Sequence, residues 1–62
     1  MNADHLMTPA EVGEWLKVTP NALAQWRFRG AGPRYVKLGR HVRYQRSDIT
    51  AWIDSNLRES TY

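Results

Sequence analysis

Two Thr-Pro pairs, Thr8-Pro9 and Thr19-Pro20, stand eleven residues apart near the start of a 62-residue chain. A threonine hydroxyl caps free backbone N–H groups at a helix start, and proline suits the first helical position because it lacks an N–H to leave unpaired. Glu11 completes a capping box with Thr8. Met7 and Val12, then Val18 and Leu23, stand at the positions of a hydrophobic staple around each cap. The first helix must therefore end near Leu16, with a turn of about three residues before the second begins. Two short helices so tightly joined leave few choices of fold.

The first helix presents Val12, Trp15 and Leu16 at i, i+3, i+4 spacing, which predicts one apolar stripe. Gly13 is a weak helix former, and its expected use is to let another backbone approach closely. The second helix runs to about Arg29 with Gly30 as its C′ residue, and Gly30 to Pro33 break the chain. Residues 34–45, RYVKLGRHVRYQ, predict a hairpin around Gly39. A two-residue Gly39-Arg40 loop suits a type II′ turn but puts Lys37 on the face of Val42. A three-residue loop, Gly39 to His41, groups Val36, Leu38, Val42 and Tyr44, with Tyr35, Lys37 and Arg43 on the other face. A slip of one residue exchanges the faces, so the hydrophobic pattern favours the longer loop. Ser47 is the expected cap of a third helix whose buried stripe is Ile49, Trp52, Ile53 and Leu57. The expected fold is mainly α with a small β-hairpin: helix-turn-helix, two-stranded wing, C-terminal helix. One domain over residues 6–57 is expected, with flexible tails at 1–5 and 58–62.

Charge is distributed unevenly. The acids are Asp4, Glu11, Glu14, Asp48, Asp54 and Glu59, so residues 15–47 contain none, yet they hold eight of the nine basic side chains. Such a segment fits a polyanion, most often nucleic acid. Cysteine is absent, which excludes a disulfide framework and thiolate metal sites. No apolar run approaches the ~18 residues of a membrane span, and the N-terminus has no signal-peptide pattern. A cytoplasmic location is expected. Catalysis finds no support. His5 and His41 are far apart, Gly30 to Pro33 lack phosphate-loop spacing, and no metal-ligand cluster is visible. Neither an enzyme nor a cofactor is expected.

The segment LMTPAEVGEWLKVTPNALAQWRFRGAGPRYVKLGRHVRYQRSDITAWI resembles the small excisionase-like, MerR-type winged helix-turn-helix domains of phages and mobile elements. The residues that carry the resemblance are Thr8-Pro9 with Val12 and Leu16, Val18-Thr19-Pro20, Leu23, and Trp26-Arg27. They continue through Gly30, Gly32-Pro33, Tyr35 to Arg40, Val42 to Tyr44, Ser47-Asp48 and Ala51-Trp52. The resemblance implies double-stranded DNA binding, with the second helix in the major groove and the wing near the adjacent minor groove. It also implies a recombination directionality factor that bends attachment-site DNA and directs a phage integrase toward excision. A prophage transcriptional regulator is the alternative within DNA binding, and a module docking an integrase or a packaging component is the alternative outside it. Because the sequence shows no appended dimerisation helix, neighbouring copies on direct-repeat sites are expected to supply specificity.

A helical wheel sorts the second helix at about 100° per residue. Leu23 and Trp26 point inward, and Trp26 is therefore expected in the core. Asn21, Ala24, Gln25 and Phe28 point outward and are the major-groove candidates, since Asn and Gln pair with adenine through both N6 and N7. Phe28 on that face touches a thymine methyl or a sugar, or packs under the wing; packing is the favoured expectation. Thr19, Arg27, Arg29, Arg34, Lys37 and Arg43 are candidates for the DNA backbone, with the N–H groups following Thr19 as a further phosphate site. Arg40 and His41 at the wing tip are the minor-groove candidates.

Overall fold

The computed structural model describes residues 5–57. The tail expected at 58–62, and all of the N-terminal tail but the exposed His5, lie outside them. The chain order is β1 (Leu6–Met7), α1 (Pro9–Leu16), α2 (Pro20–Phe28), β2 (Val36–Leu38), β3 (His41–Gln45) and α3 (Arg46–Ser55). This is a winged helix-turn-helix, with three helices and a three-stranded antiparallel sheet of order β1-β3-β2.

The first two helices begin where the Thr-Pro pairs place them. The Thr8 Oγ1 accepts from the Glu11 N–H at 3.1 Å, and the Thr8 N–H donates to Glu11 Oε1 at 2.9 Å, closing the capping box. The Thr19 Oγ1 accepts from the Ala22 N–H at 3.0 Å. Between the helices, Lys17 takes a left-handed conformation with φ 62°, a strain of about 1–2 kcal/mol for a residue bearing a Cβ. Gly13 shows why the turn is so tight. A Cβ built there would lie 2.5 Å from the Val18 carbonyl oxygen, so the backbone after α1 occupies the space a side chain would need. The Val18 N–H donates to the Gly13 carbonyl at 2.9 Å and seals that approach.

At the other end of α2, the Ala31 N–H donates to the Trp26 carbonyl at 2.7 Å and the Gly30 N–H to the Arg27 carbonyl at 3.1 Å. This is a Schellman ending, and Gly30 supplies the positive φ, 70°, that it requires.

Val12, Leu23, Tyr44 and Ile49 are fully buried and draw one side chain each from α1, α2, β3 and α3. Burying an aliphatic side chain of this size stabilises the fold by about 1.5–3 kcal/mol. Met7, Leu16, Val18, Trp26, Val42 and Ile53 pack around them. The Trp26 and Trp52 rings stack at a tilt, with centroids 5.4 Å apart.

Four expectations about packing are corrected. Hairpin register follows the turn rather than the hydrophobic pattern: Leu38 pairs with His41, Lys37 with Val42 and Val36 with Arg43. The loop is therefore Gly39-Arg40, with positive φ at Gly39 alone, as a type II′ turn demands. Lys37 shares the face of Val42, while Val36 and Leu38 share the other with His41 and Arg43. Strand β3, at the centre of the sheet, supplies the core, and β2 at its edge has little burial to gain by the other register. Secondly, the sheet gains β1, whose Met7 pairs with the buried Tyr44 and whose Leu6 pairs with Gln45. Thirdly, α3 starts two residues earlier than a Ser47 cap would place it, with Gln45 at its N-cap and no side-chain cap bond. The unbroken passage from β3 into the helix leaves no loop for a serine cap. Lastly, Trp15 is 38% exposed beneath the Arg46 guanidinium, and Leu57, past the end of α3, is 70% exposed.

Candidate nucleic-acid interface

The exposed face of α2 is built by its own periodicity. Leu23 is drawn wholly into the core and Trp26 packs against it, which turns Asn21, Gln25 and Phe28 outward. Asn21 and Gln25 are exposed, Ala24 between them is half-buried, and Phe28 is 92% exposed. Phe28 does not pack under the wing. It is the last residue of α2, and its apolar ring stands in solvent on the same face as two amide side chains. Such a face offers hydrogen bonds at its first turns and apolar contact at its last, the combination that base edges and thymine methyls present in a major groove.

The basic side chains differ in how firmly they are held. Arg29, Arg34, Lys37 and Arg40 are exposed. Arg43 is half-buried and its Nη1 donates to the neighbouring Val42 carbonyl at 2.7 Å. Lys37 and Arg43 were expected on one outward face, but the observed register puts them on opposite faces. The same register makes the exposed His41 the first residue of β3, paired with Leu38 beside the turn, and leaves Arg40 in the turn itself with Gly39.

At the start of α2 the phosphate site is narrower than the sequence implies. Pro20 has no N–H, the Ala22 N–H is taken by Thr19 Oγ1, and the Leu23 N–H donates to the Thr19 carbonyl at 3.2 Å. Asn21 alone of these keeps its N–H for an outside acceptor, beside the Thr19 hydroxyl proton.

Arg27 departs furthest from expectation. It is half-buried, and its Nη1 donates to the Tyr44 hydroxyl at 2.6 Å. Its guanidinium carbon stands 5.7 Å from the Tyr35 ring centroid and 6.0 Å from that of Tyr44. Sequence reasoning put Tyr44 on the apolar face of the wing and Tyr35 on the other, and gave neither a part in the interface. The wheel carried part of the signal, since Arg27 lies about 40° from the inward Leu23 at 100° per residue. Its partner is seventeen positions away in a strand whose register the hydrophobic pattern misassigned.

Among the described residues no group of His, Cys, Asp or Glu is placed to hold a metal ion, and no helix is long and apolar enough to cross a membrane. Residues 6–57 match the family model for a helix-turn-helix domain. No curated protein and no solved structure gives a significant match.

Proposed function

The chain belongs to the helix-turn-helix domain family, whose members bind DNA and which includes excisionase-like proteins, and from that premise we propose a sequence-specific, DNA-bending role in site-specific recombination. In this reading the protein is a recombination directionality factor. It occupies direct repeats in an attachment site, contacts neighbouring copies of itself, and steers a phage integrase toward excision. Residues 6–57 act as the DNA-binding domain.

The observation that carries DNA recognition is the face of α2, where the two exposed amides of Asn21 and Gln25 share one side with the 92% exposed Phe28. Asn21, Ala24, Gln25 and Phe28 meet base edges. Thr19, Arg27, Arg29, Arg34, Lys37 and Arg43 meet the backbone, and Arg40, flanked by His41, enters the adjacent minor groove. The acid-free stretch 15–47 gives this surface one sign of charge. A single module of this kind buries about 600–1,000 Å² of protein surface on DNA. Affinity per copy is then modest, and side-by-side occupancy with bending adds what one copy lacks.

The decisive experiment is recombination in vitro with the cognate integrase, combined with footprinting across salt. The protein should stimulate recombination between the two hybrid attachment sites and inhibit the integrative reaction. With about four phosphate contacts, log K should fall against log salt with a slope near −3.5. Footprints upstream of a promoter without an effect on recombination would replace this role with transcriptional regulation. The 70% exposure of Leu57 favours one reading outside DNA binding, a module that docks another protein; a salt slope near zero would select it.

A further inference from the structure

The aromatic surroundings of Arg27 set it apart from the exposed cations of the same surface. Tyr44 is fully buried, and its hydroxyl needs a partner inside the fold. Arg27 supplies it at 2.6 Å, with the Tyr35 and Tyr44 rings both within 6.0 Å of the guanidinium carbon. A guanidinium carries five N–H donors in a planar fork, and the Tyr44 bond engages one nitrogen of it. Arg27 also lines an open pocket of about 340 Å³, whose other walls are Gly30 to Pro33, Arg34 and Tyr35. Two arginines therefore face one cavity and no carboxylate lines it. A cavity of this kind suits a phosphate group, which takes bidentate bonds from a fork and gains from a second cation.

We infer that this pocket between the end of α2 and residues 30–35 is a phosphate seat, with Arg27 as its principal ligand, Arg34 as its second, and the buried Tyr44 as the positioning residue of Arg27. The inference rests on the DNA-binding reading: the phosphate is one backbone linkage of the duplex that α2 enters. Free inorganic phosphate has the same chemistry. Because Arg27 belongs to α2 and Tyr44 to β3, one phosphate held here fixes recognition helix and wing together on the strand. A flexible arginine must lose its rotamer freedom on binding, whereas Arg27 is already braced.

The test uses the full chain and a duplex carrying its footprinted site, scanned with single methylphosphonate linkages that remove one phosphate charge at a time. Tyr44→Phe keeps the ring in the core and removes the acceptor of Arg27. It should fold, by circular dichroism, and bind roughly tenfold more weakly, as expected for loss of a charge-assisted hydrogen bond. In an Arg27→Gln background it should cost nothing further. One neutral linkage should weaken the wild type about as much as Arg27→Gln does, and have no effect on that variant. The idea is overturned if folded Tyr44→Phe binds as wild type does, or if every neutral linkage costs wild type and Arg27→Gln equally. Should Tyr44→Phe not fold, Arg27→Lys carries the comparison, since it keeps the charge and every apolar core side chain but loses the fork: folded Arg27→Lys should bind nearly as weakly as Arg27→Gln, and wild-type binding by it overturns the seat. A wild type that binds no duplex sinks the DNA reading itself. The seat is then judged by titrating inorganic phosphate against the arginine side-chain resonances: saturable shifts at Arg27 that vanish in Arg27→Gln sustain it, and their absence removes it.

Discussion

Trp26 of α2 and Trp52 of α3 meet with ring centroids 5.4 Å apart and planes inclined by 41°. Both indoles are half-buried, so the contact joins the candidate recognition helix to the last helix at the margin of a core of four fully buried side chains. A domain of this size rarely draws more than about 3–5 kcal/mol from its core. The indole pair is therefore a large share of the total. Trp52→Ala should cost about 2–3 kcal/mol, below the value for a fully buried tryptophan. Urea unfolding followed by far-ultraviolet circular dichroism measures it. A loss under about 1 kcal/mol would mean that α3 holds to the core through Ile49 and Ile53 alone.

Gly13→Ala sets two effects against each other. Alanine is the better helix former by about 1 kcal/mol. Its Cβ, however, would stand 2.5 Å from the Val18 carbonyl oxygen, and the obstructing atom is backbone. Overpacking of a rigid neighbour costs about 1–3 kcal/mol, and here it also pushes on Lys17, already left-handed. Because the obstructing atom is backbone, the overpacking term falls at its upper end and the variant should be net destabilised by about 1–2 kcal/mol. Equal or greater thermal stability than wild type would show that the turn between α1 and α2 relaxes freely.

The helix-turn-helix was legible because its determinants are local. Thr8, Thr19 and Gly30 act on atoms within five residues, and each does in the structure what its type predicts. Gly13 belongs with them, since the backbone approach expected there is the one observed. The wing was read less well because two local signals disagreed. Gly39 called for a two-residue turn, the spacing of Val36 and Leu38 for three. The hydrophobic argument assumed that both hairpin strands border the core, whereas β2 is an edge strand and Leu38 is 47% exposed. Leu6–Met7 pairs with a strand nearly forty residues on, and two residues carry no periodicity to reveal it. On the candidate interface, the outward turn of Asn21 and Gln25 was legible from the wheel. The brace between Arg27 and Tyr44 was not, since it needs the tertiary placement of β3 against α2.

Gln25→Ala and Arg29→Ala should separate two kinds of contact. Both residues are exposed on α2 or at its end, so neither change should alter stability appreciably. Loss of a bidentate base contact at Gln25 should cost roughly 1–3 kcal/mol on the cognate site and little on random DNA. Loss of a phosphate contact at Arg29 should weaken both about equally and reduce the salt slope by about one. Competition binding with cognate and scrambled duplexes reads the difference. Identical behaviour of the two variants would mean that α2 meets DNA with a different face.

Phe28 offers a sharper probe of the same face. Its ring is 92% exposed and costs the fold little to remove. Replacing single thymines by deoxyuridine deletes only the C5 methyl and leaves pairing intact. One such replacement should weaken the wild type by about 0.8 kcal/mol, the value of one methyl-sized group withdrawn from apolar contact. Phe28→Ala should lose that discrimination and no other. If no deoxyuridine position affects the wild type, Phe28 does not reach a thymine.

Arg40 occupies the second position of the Gly39-Arg40 turn, and the corrected register makes a firmer prediction for it than the longer loop did. A two-residue turn gives the wing a narrow tip, and Arg40 stands there exposed while His41 is drawn back into pairing with Leu38. A narrow A-tract minor groove concentrates negative potential and attracts an inserted arginine. Arg40→Ala should therefore weaken binding by about 1 kcal/mol, roughly fivefold, where A/T pairs flank the major-groove site. Replacing those pairs with G/C should bring wild type and variant together, because the wider groove no longer favours the guanidinium. His41→Ala should change affinity much less on either flank, since its position lies in the strand. The measurement is a four-way comparison of two flanks and two proteins by fluorescence anisotropy at fixed salt, with His41→Ala as the control. A fivefold loss that persists unchanged on G/C flanks would make Arg40 a backbone contact. An equal effect from His41→Ala would return both residues to the tip and count against the two-residue turn on DNA.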